Sequence, residues 1–314
     1  MKASRWISAR DLVRLSWLGF ADVLVRILPA SVLGSVAQRL GDWAALLRPA
    51  RTKTRSAKIK GFFPGGPPNP ENTEALLRRI GRNLVEEVML NRRLAHRSGW
   101  RPEMRVVGSD LVESRLADGG VMLWAATQIF NMQLTVMIAH DAGWPVHRLS
   151  HWTHGPAGGH PPTKFALRMI NAPWQRVEDQ YATRLVIPQE GHKGTMETFE
   201  ELLKNGQIVV VSSTADSRTP LTEPLFDGWI RLALGAAKKA RECGASIVAT
   251  KTLREDDGTF VITFVPIMER NEDQPLEVVA RRMIRVLSDA MRNDPSLWSV
   301  NSSQTFLSPN GSTK

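Results

Sequence analysis

Three of the seven histidines stand within ten residues, in His151-Trp-Thr-His-Gly-Pro-Ala-Gly-Gly-His160. A neutral imidazole in such a loop can take a proton from a hydroxyl group, and His151 and His154 are close enough in sequence to share a cation. The intervening Gly and Pro define no ligand geometry, so no metal centre is assigned, and an ordinary polar loop is the competing reading. Asp216 and Arg218 form a second group, directly after the apolar run 208–211. There an Asp could bind a hydroxyl and an Arg a phosphate, or the two could simply close a turn on each other. Arg184 is a further phosphate-binding candidate. His140, beside Asp141 in an apparent helix, reads as a satisfied core histidine. The single cysteine, Cys243, excludes an internal disulfide and fits a reducing compartment. It closes an apparent helix and reads as a structural thiol. The stretch Gly155-Pro-Ala-Gly-Gly159 lacks the Lys-Ser/Thr of a phosphate-binding loop, and no Gly-x-Gly-x-x-Gly occurs, which argues against nucleotide chemistry.

These groups need a scaffold, and the patterning supplies an α/β one. Short apolar strands at 106–107, 120–127, 146–149, 207–213, 245–251 and 259–265 alternate with helices at 110–116, 130–141, 165–170, 192–204, 228–243 and 276–292. That alternation predicts a mixed, largely parallel sheet flanked by helices. In such sheets the ligand site lies beyond the carboxyl ends of the strands. The buried strand 120–127 therefore aims the loop Gln128-Ile-Phe-Asn-Met-Gln133 at any active site. An amphipathic helix with Leu76, Leu77, Ile80, Leu84, Val85, Val88 and Met89 at spacings of three and four precedes the sheet, with Asn69 expected as its cap and Pro70 as its first residue. The Pro/Gly-rich stretch 61–70 is expected to be a linker that is neither helix nor central strand. The domain proper then covers 71–300, and 301–314 is expected to be a loose tail.

The formal net charge is +10, and residues 1–60, with twelve basic and three acidic residues, carry +9 of it. The same segment holds Trp6, Trp17, Phe20, Val23, Ile27, Val32 and Trp43. A nucleic-acid enzyme would spread its basic residues around a central cleft, so this distribution argues against a nucleic-acid partner. Basic, aromatic and aliphatic residues together predict an interfacial helical segment on an anionic membrane surface. Its longest uncharged stretch, 27–38, is interrupted by Pro29 and is well short of the ~20 residues that a transmembrane helix needs. A soluble helical hairpin with a solvated basic face is the alternative.

From about residue 10 to residue 300 the chain resembles the bacterial lipid A late acyltransferases, the lauroyl and myristoyl transferases of the lysophospholipid acyltransferase superfamily. The resemblance is carried by order and spacing. The strand and following loop at 120–133 stand where that family has a buried strand running into His-x-Gly-Asn-Trp-Glu. Glu201-Leu-Leu-Lys-Asn-Gly-Gln-Ile-Val-Val-Val is similar to the family's helix, Lys-Gly turn and strand. Thr214-Ala-Asp-Ser-Arg218 stands near its Asp-Gln loop, Glu223-Pro-Leu-Phe-Asp-Gly228 resembles the stretch before its next helix, and Asn293-Asp-Pro-Ser-Leu-Trp298 resembles its closing Pro-x-x-Trp segment.

The resemblance implies a glycerolipid acyltransferase-like fold and acyl transfer to a hydroxyl or amine. The acyl thioester, on acyl carrier protein or coenzyme A, would serve as co-substrate without any other cofactor. It also implies a peripheral location at the cytoplasmic face of the inner membrane. In such a transferase the His takes the acceptor's proton and the carboxylate orients the imidazole. Here those positions read Gln128 and Gln133, and an amide cannot act as a base near neutral pH. His151, His154 and Asp216 are the candidates to replace the missing base, and Asn131, Arg184 and Arg218 the candidates to bind substrate. A non-catalytic relative that binds lipid or acyl carrier as a partner subunit is the second reading.

Overall fold

The computed structural model describes residues 6–46, 49–63, 72–97, 99–156, 163–188, 193–213, 220–255, 257–298 and 305–307. The chain begins with helices α1 (Ala9–Ile27), α2 (Ala30–Leu46), α3 (Pro49–Phe62) and α4 (Thr73–His96). The α/β part then runs β1 (Met104–Val107), α5 (Ser109–Asp118), β2 (Val121–Ala125), α6 (Asn131–Asp141) and β3 (Val146–His151). A π-helical segment, Ala166–Asn171, leads into α7 (Ala172–Glu178), β4 (Thr183–Ile187), α8 (Lys193–Lys204) and β5 (Ile208–Ser212). The remainder is β6 (Leu221–Leu225), β7 (Gly228–Leu232), α9 (Gly235–Glu242), β8 (Ser246–Arg254), β9 (Phe260–Met268), α10 (Leu276–Asn293), a 3-10 turn at Pro295–Leu297, and β10 (Thr305–Phe306).

Seven strands form one sheet in the order β1-β9-β8-β2-β5-β3-β4. Every neighbouring pair is parallel except β8 with β9, so the expected mixed, largely parallel sheet is what the chain forms. Strand β2 is central and buried on both faces, which is why its sequence is an unbroken apolar run. Met122 and Trp124 enter one core, with Phe199, Leu203, Ala237 and Met283 from the helices on that side. Val121 and Leu123 enter the other, with Leu134, Met137 and Ile138 of α6 and Leu90 and Leu94 of α4. The two layers fix the direction of β2, and hence where its loop emerges.

Several expectations are corrected. The stretch expected as one helix at 228–243 is a strand followed by a shorter helix. Gly228, Ile230 and Leu232 point inward at a period of two, and β7 pairs with β6 around the two-residue turn Phe226–Asp227. Phe226 takes φ 53 there, a conformation that the usual Asn-Gly signal would have announced and that Phe conceals. The stretch expected to be a linker begins inside α3, because Phe62 is fully buried edge-on against Trp298, with ring centroids 5.2 Å apart. Asn69 and Pro70 lie outside the described residues, and the cap of α4 is Asn72, whose Oδ1 accepts from Ala75 N at 2.8 Å. Within the stretch expected to be loose, Thr305 and Phe306 add a strand to β7, and Lys58 Nζ donates to Thr305 O at 3.0 Å.

The N-terminal helices are not an appendage. Val25 of α1 and Leu33 and Ala37 of α2 pack on Val85 and Met89 of α4. Asp22 accepts two hydrogen bonds from Arg92 and lies 3.0 Å from His96 Nε2. Among the described residues no helix is long and apolar enough to cross a membrane.

Candidate functional site

The loop after β2 is held by three separate parts of the chain. Gln128 N and Ile129 N both donate to Leu297 O, at 3.3 and 3.2 Å, so the closing 3-10 turn fixes the start of the loop. Phe130 N donates to Glu87 Oε1 of α4 at 3.0 Å. Phe130 itself takes φ 63 as the cap residue of α6, and its ring is fully buried against Phe260. A left-handed aromatic residue stores strain of order 1–3 kcal/mol, which persists only where the surroundings impose it.

Asn131 opens α6 and is completely buried. Its Nδ2 donates to Thr250 O at 2.7 Å, while Oδ1 accepts from Thr252 Oγ1 at 2.8 Å and Thr135 Oγ1 at 3.2 Å. It thereby ties α6 to β8. Gln128 is partly buried, and Gln133, on the first turn of α6, has a buried Nε2 without a hydrogen-bond partner among the described residues.

His154 follows β3, two strands away from β2 in the sheet, or about 10 Å at ordinary strand spacing. Its Nε2 lies 3.1 Å from Glu178 of α7 and 2.7 Å from Arg148 Nη2 of β3. Those two contacts require opposite protonation of one nitrogen. A lone pair on Nε2 faces Arg148, whereas an N–H there donates to Glu178 and leaves Nδ1 as the basic nitrogen. Glu178 and Arg148 are both buried and form an ion pair at 2.7 Å. Trp174 Nε1 also donates to Glu178 Oε1 at 3.0 Å. Burial works against the Glu178 carboxylate, but the Arg148 charge and the bonds from His154 and Arg148 outweigh it and hold the group down at about 2. Glu178 is therefore ionised at any working pH and able to orient and stabilise an imidazolium.

The His154 backbone is fixed as well. Gln175 Nε2 donates to His154 O, and Asn171 Nδ2 donates to Thr153 O at 2.9 Å. Gly155 adopts φ 140, and a Cβ there would fall 2.6 Å from Asn171 Cγ, so only glycine suits this turn.

Glu87 lies between the two loops. Burial pushes its carboxyl up to about 7, the Phe130 N–H acting to lower it, with smaller opposed effects from the Glu178 and Arg148 charges. Glu87, which holds the β2 loop, is thus within electrostatic reach of the Glu178–Arg148 pair, whose partner His154 follows the carboxyl end of β3.

The other candidates are placed differently. His151 is exposed at the end of β3, its Nδ1 2.7 Å from Thr153 Oγ1. Arg184 pairs with Asp179 through Nη2 at 3.1 Å. Asp216, Arg218 and His160 lie outside the described residues. His140, expected in the core, is exposed, beside Asp141 and edge-on to Tyr181, because the inward face of α6 is taken by Leu134, Met137 and Ile138. Among the described residues no cluster of His, Cys, Asp and Glu could hold a metal.

Glu87, Arg148, Glu178 and Trp174 escaped the sequence reading, yet signals existed. Glu87 stands at helical spacing from the buried Asn83, Leu90, Asn91 and Leu94 of α4, a carboxylate on an inward face. Arg148 occupies the inward parity of β3, with Val146 and Ser150. Trp174 and Glu178 are one helical turn apart.

A largely parallel sheet with polar groups gathered beyond its central strands defines an α/β protein of the kind that does its chemistry at strand ends. The pattern of the bacterial lipid A biosynthesis acyltransferases matches residues 7–300, and the chain belongs to that family. A search of curated proteins gave no match.

Proposed function

We propose that the protein transfers an acyl group from a thioester, on acyl carrier protein or coenzyme A, to a hydroxyl or amine acceptor at the cytoplasmic face of a membrane. In this reading His154 takes the proton of the acceptor as it attacks the thioester carbonyl. Glu178 orients the ring and stabilises its charged form, and the departing thiolate recovers the proton. Gln128 and Gln133 occupy the positions where the family resemblance leads one to expect the base and its acid. The observation that carries the proposal is the contact of His154 with a buried, ionised Glu178 in a chain of acyltransferase ancestry.

The membrane location is supported by the distribution of exposed apolar side chains. Of the fourteen large hydrophobic residues that are exposed among the described ones, nine lie between Trp6 and Trp43. Leu12, Phe20, Val23 and Ile27 form a stripe along α1, and Arg10 and Arg26 of the same helix and Arg39 of α2 are exposed.

The test is thiol release from acyl carrier protein and coenzyme A thioesters in the presence of lipid acceptors, for the wild type and His154→Gln. Release that His154→Gln reduces supports the proposal. Release unaffected by the substitution removes His154 from it. Thioester binding without release favours the second reading, a non-catalytic acyl-carrier-binding or lipid-binding subunit, for which the paired amides Gln128 and Gln133 speak.

A further inference from the structure

The underside of α1 is bound to the segment between His154 and Glu178. Asp11, itself buried, accepts from Thr163 Oγ1 at 2.7 Å. Phe165 N donates to Trp6 O at 2.9 Å, and the rings of the two residues lie 5.8 Å apart. Leu18 packs on Ala166 and Ile170 of the π-helical segment. A π-helical turn is rare and carries a local cost, and such turns are frequent at functional sites. Here the extra residue in the turn buries Ala166 and Ile170 against α1 and leaves Met169 51% exposed. Lys164 and Arg168 are exposed next to it, and residues 163–177 contain three basic side chains and no acidic one.

We infer that α1 and the π-helical segment form one continuous surface that rests on an anionic bilayer, with Met169 entering the apolar boundary alongside Trp6 and Val13. The inference rests on the membrane location proposed above and adds a second contacting element to it. An anionic lipid surface fits this face because it offers apolar depth for Met169, Val13 and Trp6 and negative headgroups for Lys164, Arg168 and Arg10. The same segment holds the His154 loop through Asn171 and Gln175. A bilayer at this face would therefore set the candidate base at headgroup level, where a lipid acceptor presents its hydroxyl or amine.

The experiment uses the full chain with Cys243→Ser and single cysteines introduced as Met169→Cys, Val13→Cys or Asp273→Cys. Each is labelled with an environment-sensitive fluorophore and probed with iodide, with and without vesicles of phosphatidylethanolamine and phosphatidylglycerol. Asp273 is a suitable control because it follows β9, whose carboxyl end lies beside the start of β8 and so at the end of the sheet away from the site, and its side chain is fully exposed. Vesicles are expected to blue-shift and shield the labels at 169 and 13 together, to leave the label at 273 open, and to act less at high salt. Shielding at 13 with position 169 as open as 273 overturns the inference while the membrane location stands. Shielding at 169 alone overturns the shared surface, and shielding at all three overturns a defined face. No shielding at any position overturns the membrane location and the inference with it. Equal shielding by pure phosphatidylcholine overturns the assignment of an anionic surface.

Discussion

Glu87 accepts the backbone N–H of Phe130 at 3.0 Å, joining the middle of α4 to the strained first turn of the loop that follows the central strand. A carboxyl raised to about 7 in the folded protein and near 4.5 in the unfolded chain opposes folding once it ionises. The folded state binds the extra proton between those pH values, so stability falls as pH rises from about 4.5 to about 7 and is level above that range.

Glu87→Gln keeps an oxygen acceptor for Phe130 and removes the charge. The variant should match the wild type near pH 4.5 and exceed it at pH 8, by on the order of 2–3 kcal/mol. Thermal unfolding at the two pH values checks this. A variant less stable than the wild type at both would show that the carboxylate is favoured where it lies.

Glu178 behaves in the opposite sense. Held at about 2, below its unfolded value, it stabilises the fold above pH 4.5, and that contribution is lost as pH falls toward 2. Glu178→Gln leaves the buried Arg148 without its counter-charge and should cost about 3–5 kcal/mol. His154→Gln should leave unfolding almost unchanged, because the ring is one-third exposed, and lower thiol release by about 10²–10⁴-fold. Equal losses of stability in the two variants would contradict this division of roles.

Much of this arrangement was legible in the sequence, and the gaps have physical causes. The β2 run and its loop could be read because a strand buried on both faces is apolar throughout, and α6, α8 and α10 because their apolar faces recur at helical spacing. Strand β4 was missed because Arg184 and Thr183 dilute its apolar character, and β7 because its hairpin turn uses Phe226. His154 was read as a candidate base from the clustering of histidines alone. Its partner Glu178 lies 24 residues further on, across a π-helical segment, where spacing in sequence says nothing about distance.

Placing Gln128→His with Gln133→Glu, the pair that the family resemblance leads one to expect there, should not yield strong transfer. Gln133 Nε2 is buried without a hydrogen-bond partner among the described residues, so a glutamate there takes a charge out of water. The double variant should unfold at lower temperature than the wild type, and its thiol release should stay below tenfold above it. A stable variant with high turnover would show that the pair alone had been lost.

Val13 and Val25 separate surface from core on α1. Val13→Asp should leave stability within about 0.5 kcal/mol of wild type and weaken binding to anionic vesicles. Val25→Asp puts a charge against Val85 and Met89 and should destabilise by several kcal/mol. Deleting residues 1–60 confounds the two effects, since it bares the side of α4 that those residues cover. Vesicle co-sedimentation beside thermal unfolding checks both substitutions, and vesicle binding by Val13→Asp at wild-type strength would count against the α1 face.

The bond from Leu297 O to Gln128 N spans 169 residues. During synthesis at about 5–20 residues per second, the loop after β2 waits roughly 8–34 s for the residue that fixes it. The candidate site is thus among the last parts of the molecule to be completed, and a nascent chain carries no finished site until the turn after α10 has been made.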